Sequence, residues 1–264
     1  MIPKILHFIW LGSLPTPDSV FTWSSTHPDW EIKIWKDADV KTIPLMNHDI
    51  YALDNKRYNQ KSDVLRLEIL YKYGGVYVDA DVINIRNIDE LIDNELFFVQ
   101  EKLGLVSNSI IGCTPQNTVV MGIMSDIKTT FNPDIAVWKS TGPGCITSYL
   151  QKHNIITIPE SHTLYDIKSN DLNISVYPFY YVNFMKDIMQ IARNRKINAA
   201  DILKIGKKDI KYAKYNEICK TKVYAIQLWM GGKKQRYQRK LNIPLIMSNI
   251  QLYTNYIIKS GERI

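Results

Sequence analysis

Apolar and polar positions along this chain fall into two rhythms. Ile5-Leu6-His7-Phe8-Ile9-Trp10 is a continuous apolar run bounded by Pro3 and Gly12, which predicts a strand buried on both faces. Glu31-Ile32-Lys33-Ile34-Trp35 alternates and predicts a second strand. A helix is expected from Asp18 to about Ser25 between them, which makes a βαβ unit. Residues 38–60 read as short helices and turns. From Ser62 to Tyr73, Val64, Leu67, Leu70 and Tyr71 recur at helical spacing. Ser62 is placed to cap that helix, Asp63 to complement its dipole, and Gly74 or Gly75 to end it in a left-handed conformation.

The next stretch, Val76-Tyr77-Val78-Asp79-Ala80-Asp81-Val82, has the β-branched and aromatic content of a strand. Further strands are expected at Leu96–Val99, Val106–Gly112, Ile155–Ile158, Ser175–Val182 and Val223–Trp229. Helices are expected at Asn117–Ile127, after the tight loop Trp138–Gly144 through Leu150, and at Phe184–Arg195. The sum is an α/β fold in one domain, residues 1–264, with a basic helical subregion at 183–222.

Chemistry enters with the carboxylates. If residues 76–82 form one strand, Asp79 and Asp81 share a face with Cα atoms roughly 7 Å apart. Carboxylates that close repel each other, and a cation or hydroxyl donors would relieve them. The plain alternative is a strand end with both groups solvated. Asp63 and Arg66, three apart on the preceding helix, are either a surface ion pair or a polar pair packed beside that strand. Trp10, at the carboxyl end of the first strand, is either a core residue or an indole face for a nucleotide base or sugar. Backbone N–H groups in the loop Trp138–Gly144 can face an anionic or hydroxylated ligand.

Composition narrows the class. The 264 residues are 45% hydrophobic and 22% charged, as in folded proteins. Cys113, Cys145 and Cys219 lie far apart, so neither a disulfide framework nor a zinc ribbon is expected. The net charge of +7 is uneven: Lys186–Lys240 holds sixteen Lys/Arg against four Asp/Glu. That basic face suits an anionic lipid surface or phosphorylated partner, or is simply a solvated helical layer. No nucleic-acid-binding signature accompanies it. No membrane-spanning run or cleavable leader is apparent, so the expectation is a cytoplasmic protein, peripheral on the inner membrane face.

The combination of Ile2-Pro3-Lys4-Ile5, Ile9-Trp10-Leu11-Gly12, Trp35-Lys36-Asp37, Ser62-Asp63-Val64-Leu65-Arg66 and Gly74-Gly75-Val76-Tyr77-Val78-Asp79-Ala80-Asp81 resembles glycosyltransferase family 32. Ser107–Gly112, Thr141-Gly142-Pro143 and Tyr224–Trp229 continue the match in order. The resemblance implies a GT-A-type, Rossmann-like mixed sheet flanked by helices. It also implies transfer of a hexose from a nucleotide sugar with retention of configuration. Within it, Trp10 matches the base-stacking position and Asp63 and Arg66, with Ser62 beside them, match residues that hold the donor hexose. Tyr77 and Asp79 match donor contacts, Asn108 a position near the transferred sugar, and Asp81 the carboxylate that binds Mn2+ or Mg2+, with Asp79 as its neighbour.

Two departures stand out. Gln227 replaces the usual His, and Gly232-Lys233 replaces a Ser-Trp pair, so Lys233 is expected to take over part of the charge neutralisation at the diphosphate. The expected acceptor is a glycan or lipid-linked oligosaccharide in capsule or exopolysaccharide synthesis. Two rivals remain from the sequence: an inactive sugar- or lipid-binding relative, and a haloacid-dehalogenase-like phosphatase. The latter shares D-x-D-x-V but lacks here its later acidic pair.

Overall fold

The computed structural model describes residues 1–53, 57–84, 86–102, 104–156, 165–169, 172–177 and 224–227. In chain order these form β1 (Ile5–Ile9), α1 (Asp18–Phe21), β2 (Glu31–Trp35), α2 (Asp37–Val40), α3 (His48–Ala52), α4 (Tyr58–Tyr73), β3 (Gly75–Val78) and β4 (Val82–Asn84). They continue with β5 (Leu96–Lys102), β6 (Leu105–Cys113), α5 (Thr118–Thr130), α6 (Val137–Ser140), α7 (Pro143–Lys152), β7 (Tyr165–Ser169), β8 (Leu172–Tyr177) and β9 (Ala225–Gln227). The expected mixed sheet with flanking helices is present. The chain divides into two compact units. One comprises Met1–Thr16, Ser24–Ala80 and Asn87–Phe179; the other comprises Pro17–Trp23, Asp81–Arg86 and Tyr180–Ile264.

The first unit is built on a seven-stranded sheet of order β2-β1-β3-β6-β5-β8-β7. Strand β1 runs parallel to β2 on one side and to β3 on the other, whereas β6 is antiparallel to both β3 and β5. Chain direction away from β1 therefore reverses, and ligands favour the carboxyl ends of parallel strands at such a switch point. The three strands deliver Trp10, Lys36 and Asp79 to those ends. Helix α4 packs on β1, β3 and β6. It buries Val64, Leu65, Leu67, Ile69 and Leu70, together with Asp63, Arg66 and Glu68. A helix buried on nearly all sides belongs to the core, not to an amphipathic surface layer.

The start of this helix departs from the expectation, whereas its glycine end follows it. Helix α4 begins at Tyr58, one turn before the expected start. Ser62 is thus an interior residue and not the cap, and its carbonyl accepts from Arg66 Nε at 3.2 Å. At the other end Gly74 and Gly75 both take positive φ, 63° and 90°. A Cβ on Gly75 would lie 2.6 Å from the Ile5 carbonyl oxygen, so the start of β3 can approach β1 this closely only with glycine there.

The strand expected over residues 76–82 is two strands. β3 stops at Val78, and the Asp79 N–H makes the last ladder bond, to Ser109 O at 2.8 Å. Ala80 and Asp81 form a turn, and Val82–Asn84 pair with β9 in a separate two-stranded sheet. Strand alternation therefore does not set the directions of Asp79 and Asp81, and no shared face follows from it. The helix expected over 18–25 is the single turn α1 followed by further turns, and residues 155–156 are not a strand. The helix expected at Phe184–Arg195, the basic subregion 183–222, Cys219, Gly232, Lys233 and the outer parts of the expected strands at 155–158, 175–182 and 223–229 lie outside the described residues.

In the second unit α1 packs against β4. Trp23 Nε1 donates to Val82 O at 3.0 Å, and Asn84 N donates to Thr22 Oγ1 at 2.9 Å. Among the described residues, no helix is long and apolar enough to cross a membrane.

Candidate active site

Helix α4 carries Asp63 and Arg66 on one face, and the carboxyl end of β3 brings Tyr77 and Asp79 to meet them. Arg66 Nη2 donates to Asp63 Oδ1 at 2.8 Å and Nη1 to Asp79 Oδ1 at 3.1 Å. The Tyr77 hydroxyl donates to the same Asp79 oxygen at 2.7 Å, and the guanidinium lies 4.5 Å from the Tyr77 ring centroid. Of the two readings of the Asp63–Arg66 pair, the packed one holds: the side chains are 7% and 4% exposed, and Asp79 is 25% exposed.

Strand β6 closes the cluster. Its register against β5 jumps from Phe98–Ile111 to Val99–Ser107, so Asn108–Ile110 have no partner in β5. Irregularities of this kind recur beside active sites because they free backbone groups from the ladder. Here the Asn108 carbonyl accepts from Arg66 Nη1, and Asn108 Nδ2 donates to Asp63 Oδ1 at 2.7 Å. From the α6–α7 corner, Thr141 Oγ1 donates to Asp63 Oδ2 at 3.1 Å. The sequence places Thr141 in the loop Trp138–Gly144 and in Thr-Gly-Pro, but the contact of its side chain with Asp63 spans 78 residues and has no local signal.

Asp63 accepts three described bonds, leaving about one of a carboxylate's roughly four acceptor sites. Burial pushes its carboxyl up to about 6; Arg66 opposes that rise, Asp79 adds to it, and Thr141 and Asn108 oppose it. Burial works against the Arg66 charge, but Tyr77, Asp79 and Asp63 outweigh it and hold the guanidinium protonated. Burial also drives the Tyr77 phenol well above its ordinary range, so it is a neutral donor to Asp79. Formally the cluster sets one cation against two carboxylates. It suits hydroxyl donors and would repel a diphosphate unless further positive charge accompanies it.

Trp10 and Asp81 have described contacts of their own. Trp10 is half-buried, and its indole N–H donates to Leu14 O at 2.8 Å. Gly12 N donates to Asp37 Oδ2 at 2.7 Å, pinning the loop after β1 to the end of β2. In the second unit, Gln227 Nε2 donates to Asp81 Oδ1 at 3.0 Å. Among the described residues, no group of three or more His, Cys, Asp or Glu could hold a metal ion. Asp81 nonetheless offers the hard oxygen donor that Mg2+ or Mn2+ takes. Such ions are commonly held by one or two carboxylates, with substrate phosphates and water completing the shell. The donor chemistry therefore fits a substrate-borne cation.

Residues 17–98 match the family described as the glycosyltransferase sugar-binding region containing DXD motif. The chain is thus similar to this DXD-containing family over about a third of its length. It is similar to inositol phosphoceramide mannosyltransferase 3 of Schizosaccharomyces pombe, 30% identical over 54% of this chain and 43% of that one. It is also similar to the human alpha-1,4-N-acetylglucosaminyltransferase, 37% identical over 34% of this chain and 25% of that one. The matches thus cover half or less of these relatives' length. Among solved structures, the PaToxG glycosyltransferase superposes with a TM-score of 0.49 at 19% identity, over 58% of this chain and 70% of that one.

Proposed function

We propose that the protein transfers a hexose from a nucleotide-sugar donor to a glycan or lipid-borne acceptor, with retention of configuration. The observation that carries this reading is the buried Asp63–Arg66–Asp79 cluster at the carboxyl ends of parallel strands. Asp63 and Asp79 accept hexose hydroxyls, and Arg66 fixes both carboxylates at once. Asn108 holds Asp63 from β6, Ser62 backs Arg66 through its carbonyl, and Trp10 stacks on the base. Sites that read hydroxyls by fixed hydrogen bonds discriminate strongly, because a missing hydroxyl leaves a buried polar group unpaired.

A Mn2+ or Mg2+ ion held by Asp81, with Asp79 as its neighbour, would act as a Lewis acid toward the leaving diphosphate. Lys233 supplies further positive charge in this reading and lessens dependence on the ion. The family match and the mannosyltransferase relatives support a sugar donor. The relatives' phosphoinositol-ceramide names favour a lipid-borne acceptor, alongside the capsule or exopolysaccharide oligosaccharide that the sequence suggested. The basic stretch 186–240 favours a peripheral position on the anionic inner membrane face, in the cytoplasm. The whole chain is taken as one functional domain.

The test is a panel of UDP-, GDP- and dTDP-hexoses, read by thermal stabilisation and by slow donor hydrolysis, with Mn2+ or with EDTA. One nucleotide sugar should stabilise the protein and be hydrolysed without acceptor. Binding without hydrolysis or transfer would instead identify a sugar-binding relative, and no binding to any donor would overturn the proposal. In Lys233→Ala, EDTA should inhibit more completely than in wild type.

A further inference from the structure

Trp138 leaves 47% of its surface exposed, whereas Trp23, Trp30 and Trp35 are buried. Tryptophan is enriched at binding interfaces, where one end of the ring is packed and the other is open. The ring is not loosely placed. Its benzo edge lies against Gly144, where a Cβ would come within 2.7 Å of Cε3 and 2.8 Å of Cζ3. The turn beneath it is closed by Thr141 N and Gly142 N, which both donate to Val137 O, at 2.9 and 3.1 Å.

The same turn abuts the hydroxyl-reading cluster. Thr141 bonds Asp63, and a Cβ at Gly142 would lie 2.8 Å from Trp138 Cα and 3.3 Å from Asp63 Oδ2. One glycine therefore separates the buried carboxylate from the backbone that carries the exposed indole. Lys139 places its ammonium 5.3 Å from the Trp138 ring centroid and has no carboxylate partner among the described residues.

We infer that Trp138 and Lys139 form the acceptor platform, and that the acceptor is a pyranose or cyclitol ring carrying a phosphate. The weakly polarised C–H face of such a ring stacks on an indole, and a compact ammonium binds phosphate as a point charge. Carboxylates that read hydroxyls lie on the buried side of Gly142, and the aromatic face lies on the exposed side, where a second substrate arrives. This inference rests on the glycosyl-transfer reading.

The probes are mannose 6-phosphate, glucose 6-phosphate and myo-inositol 1-phosphate, their unphosphorylated counterparts, and inorganic phosphate. Each is titrated into full-length protein labelled with 5-fluorotryptophan, with the Trp138 resonance assigned through Trp138→Phe. At least one ring phosphate should move that resonance, while inorganic phosphate leaves it in place. Trp138→Ala should weaken ring-phosphate binding by about tenfold, and Trp138→Phe by about threefold or less. Lys139→Ala should bring the phosphorylated probe down to the affinity of its unphosphorylated counterpart. With a competent acceptor, transfer by Trp138→Ala should fall much further than acceptor-independent donor hydrolysis. A Trp138 resonance unmoved by every ring, or moved equally by inorganic phosphate, overturns the inference. Equal losses of transfer and hydrolysis would do the same, by placing Trp138 in the donor site. Failure of all nucleotide sugars to bind would sink the transferase reading alone, because the resonance reports ring binding directly.

Discussion

Two buried polar clusters share the first unit and differ in charge and in access. His7 is sealed between α4 and β2: its Nδ1 accepts from Trp35 Nε1 at 3.2 Å, which leaves Nε2 to donate to Gly74 O at 2.9 Å. Burial pushes its imidazole down to about 4, so it is neutral at pH 7. Both ring nitrogens are used, one on the Trp35 indole and the other on the backbone carbonyl at the end of α4, just before β3. The Asp63–Arg66–Asp79 cluster is charged and reaches the surface through Asp79. The same interior thus contains a neutral polar group that fixes the chain and a charged one that ends at a partly exposed carboxylate. Burial of a polar residue alone does not mark function.

The largest effects should separate the two. Arg66→Met leaves two carboxylates facing each other, so a stability loss of about 3–5 kcal/mol is expected together with loss of transfer. Asp79→Asn keeps the shape of the site and should lower transfer by about 10²- to 10³-fold while the melting temperature stays near wild type. Comparable unfolding in both variants would mean that Asp79 belongs to the scaffold. On the scaffold side, Gly75→Ala forces a Cβ at φ 90° to within 2.6 Å of Ile5 O. It should cost about 2–4 kcal/mol, measured by urea denaturation, with donor affinity of the folded fraction unchanged.

How much of this was legible can be read from the same residues. Strands β1, β2, β5 and β6 were visible because each is a short apolar or alternating run between breakers, and the i, i+3 spacing of Asp63 and Arg66 placed them on one face. The start of α4 was misplaced because Ser62 imitates a cap. Tertiary burial, including that of Gln60, extends the helix through residues that look polar in isolation. Asp79 and Asp81 are not related by strand alternation, which holds only while a strand continues, and β3 stops at Val78. The partner of β4 is the distant β9, and nothing local announces that pairing. Thr141 reaching Asp63 has the same origin: contacts between segments far apart in sequence leave no periodic trace.

Proton linkage sharpens the contrast, with smaller effects. The folded His7 has its pKa near 4, against about 6.5 in an unfolded chain. Between those values only the unfolded state binds the proton, so this contribution to stability rises with pH, by at most about 1.4 kcal/mol per unit. For Asp63 the sign reverses. Its folded pKa near 6 exceeds the unfolded value of 3.8, so the folded state keeps a proton that the unfolded chain has lost. Its contribution therefore falls as pH rises through the same window. His7→Leu should flatten the rise of stability between pH 4 and 6.5, and Asp63→Asn should steepen it. Equal slopes in the two variants would mean that neither group carries the linkage.

The smallest change tests the link between Asp63 and catalysis. Thr141→Val removes the donor on Asp63 Oδ2 and nothing else from the described network around that carboxylate. That hydrogen bond lowers the Asp63 pKa, so its loss should move the acid limb of transfer from near 6 to higher pH. A single hydrogen bond is worth about 0.5–1.5 kcal/mol, which corresponds to a displacement of about one pH unit or less. Well above the limb, the rate should fall by less than about tenfold. Thr141→Ser, which restores the hydroxyl, should return the limb to its original place. If the limb stays fixed in the valine variant, the titrating group is not Asp63, and the charged cluster is as purely architectural as the one around His7.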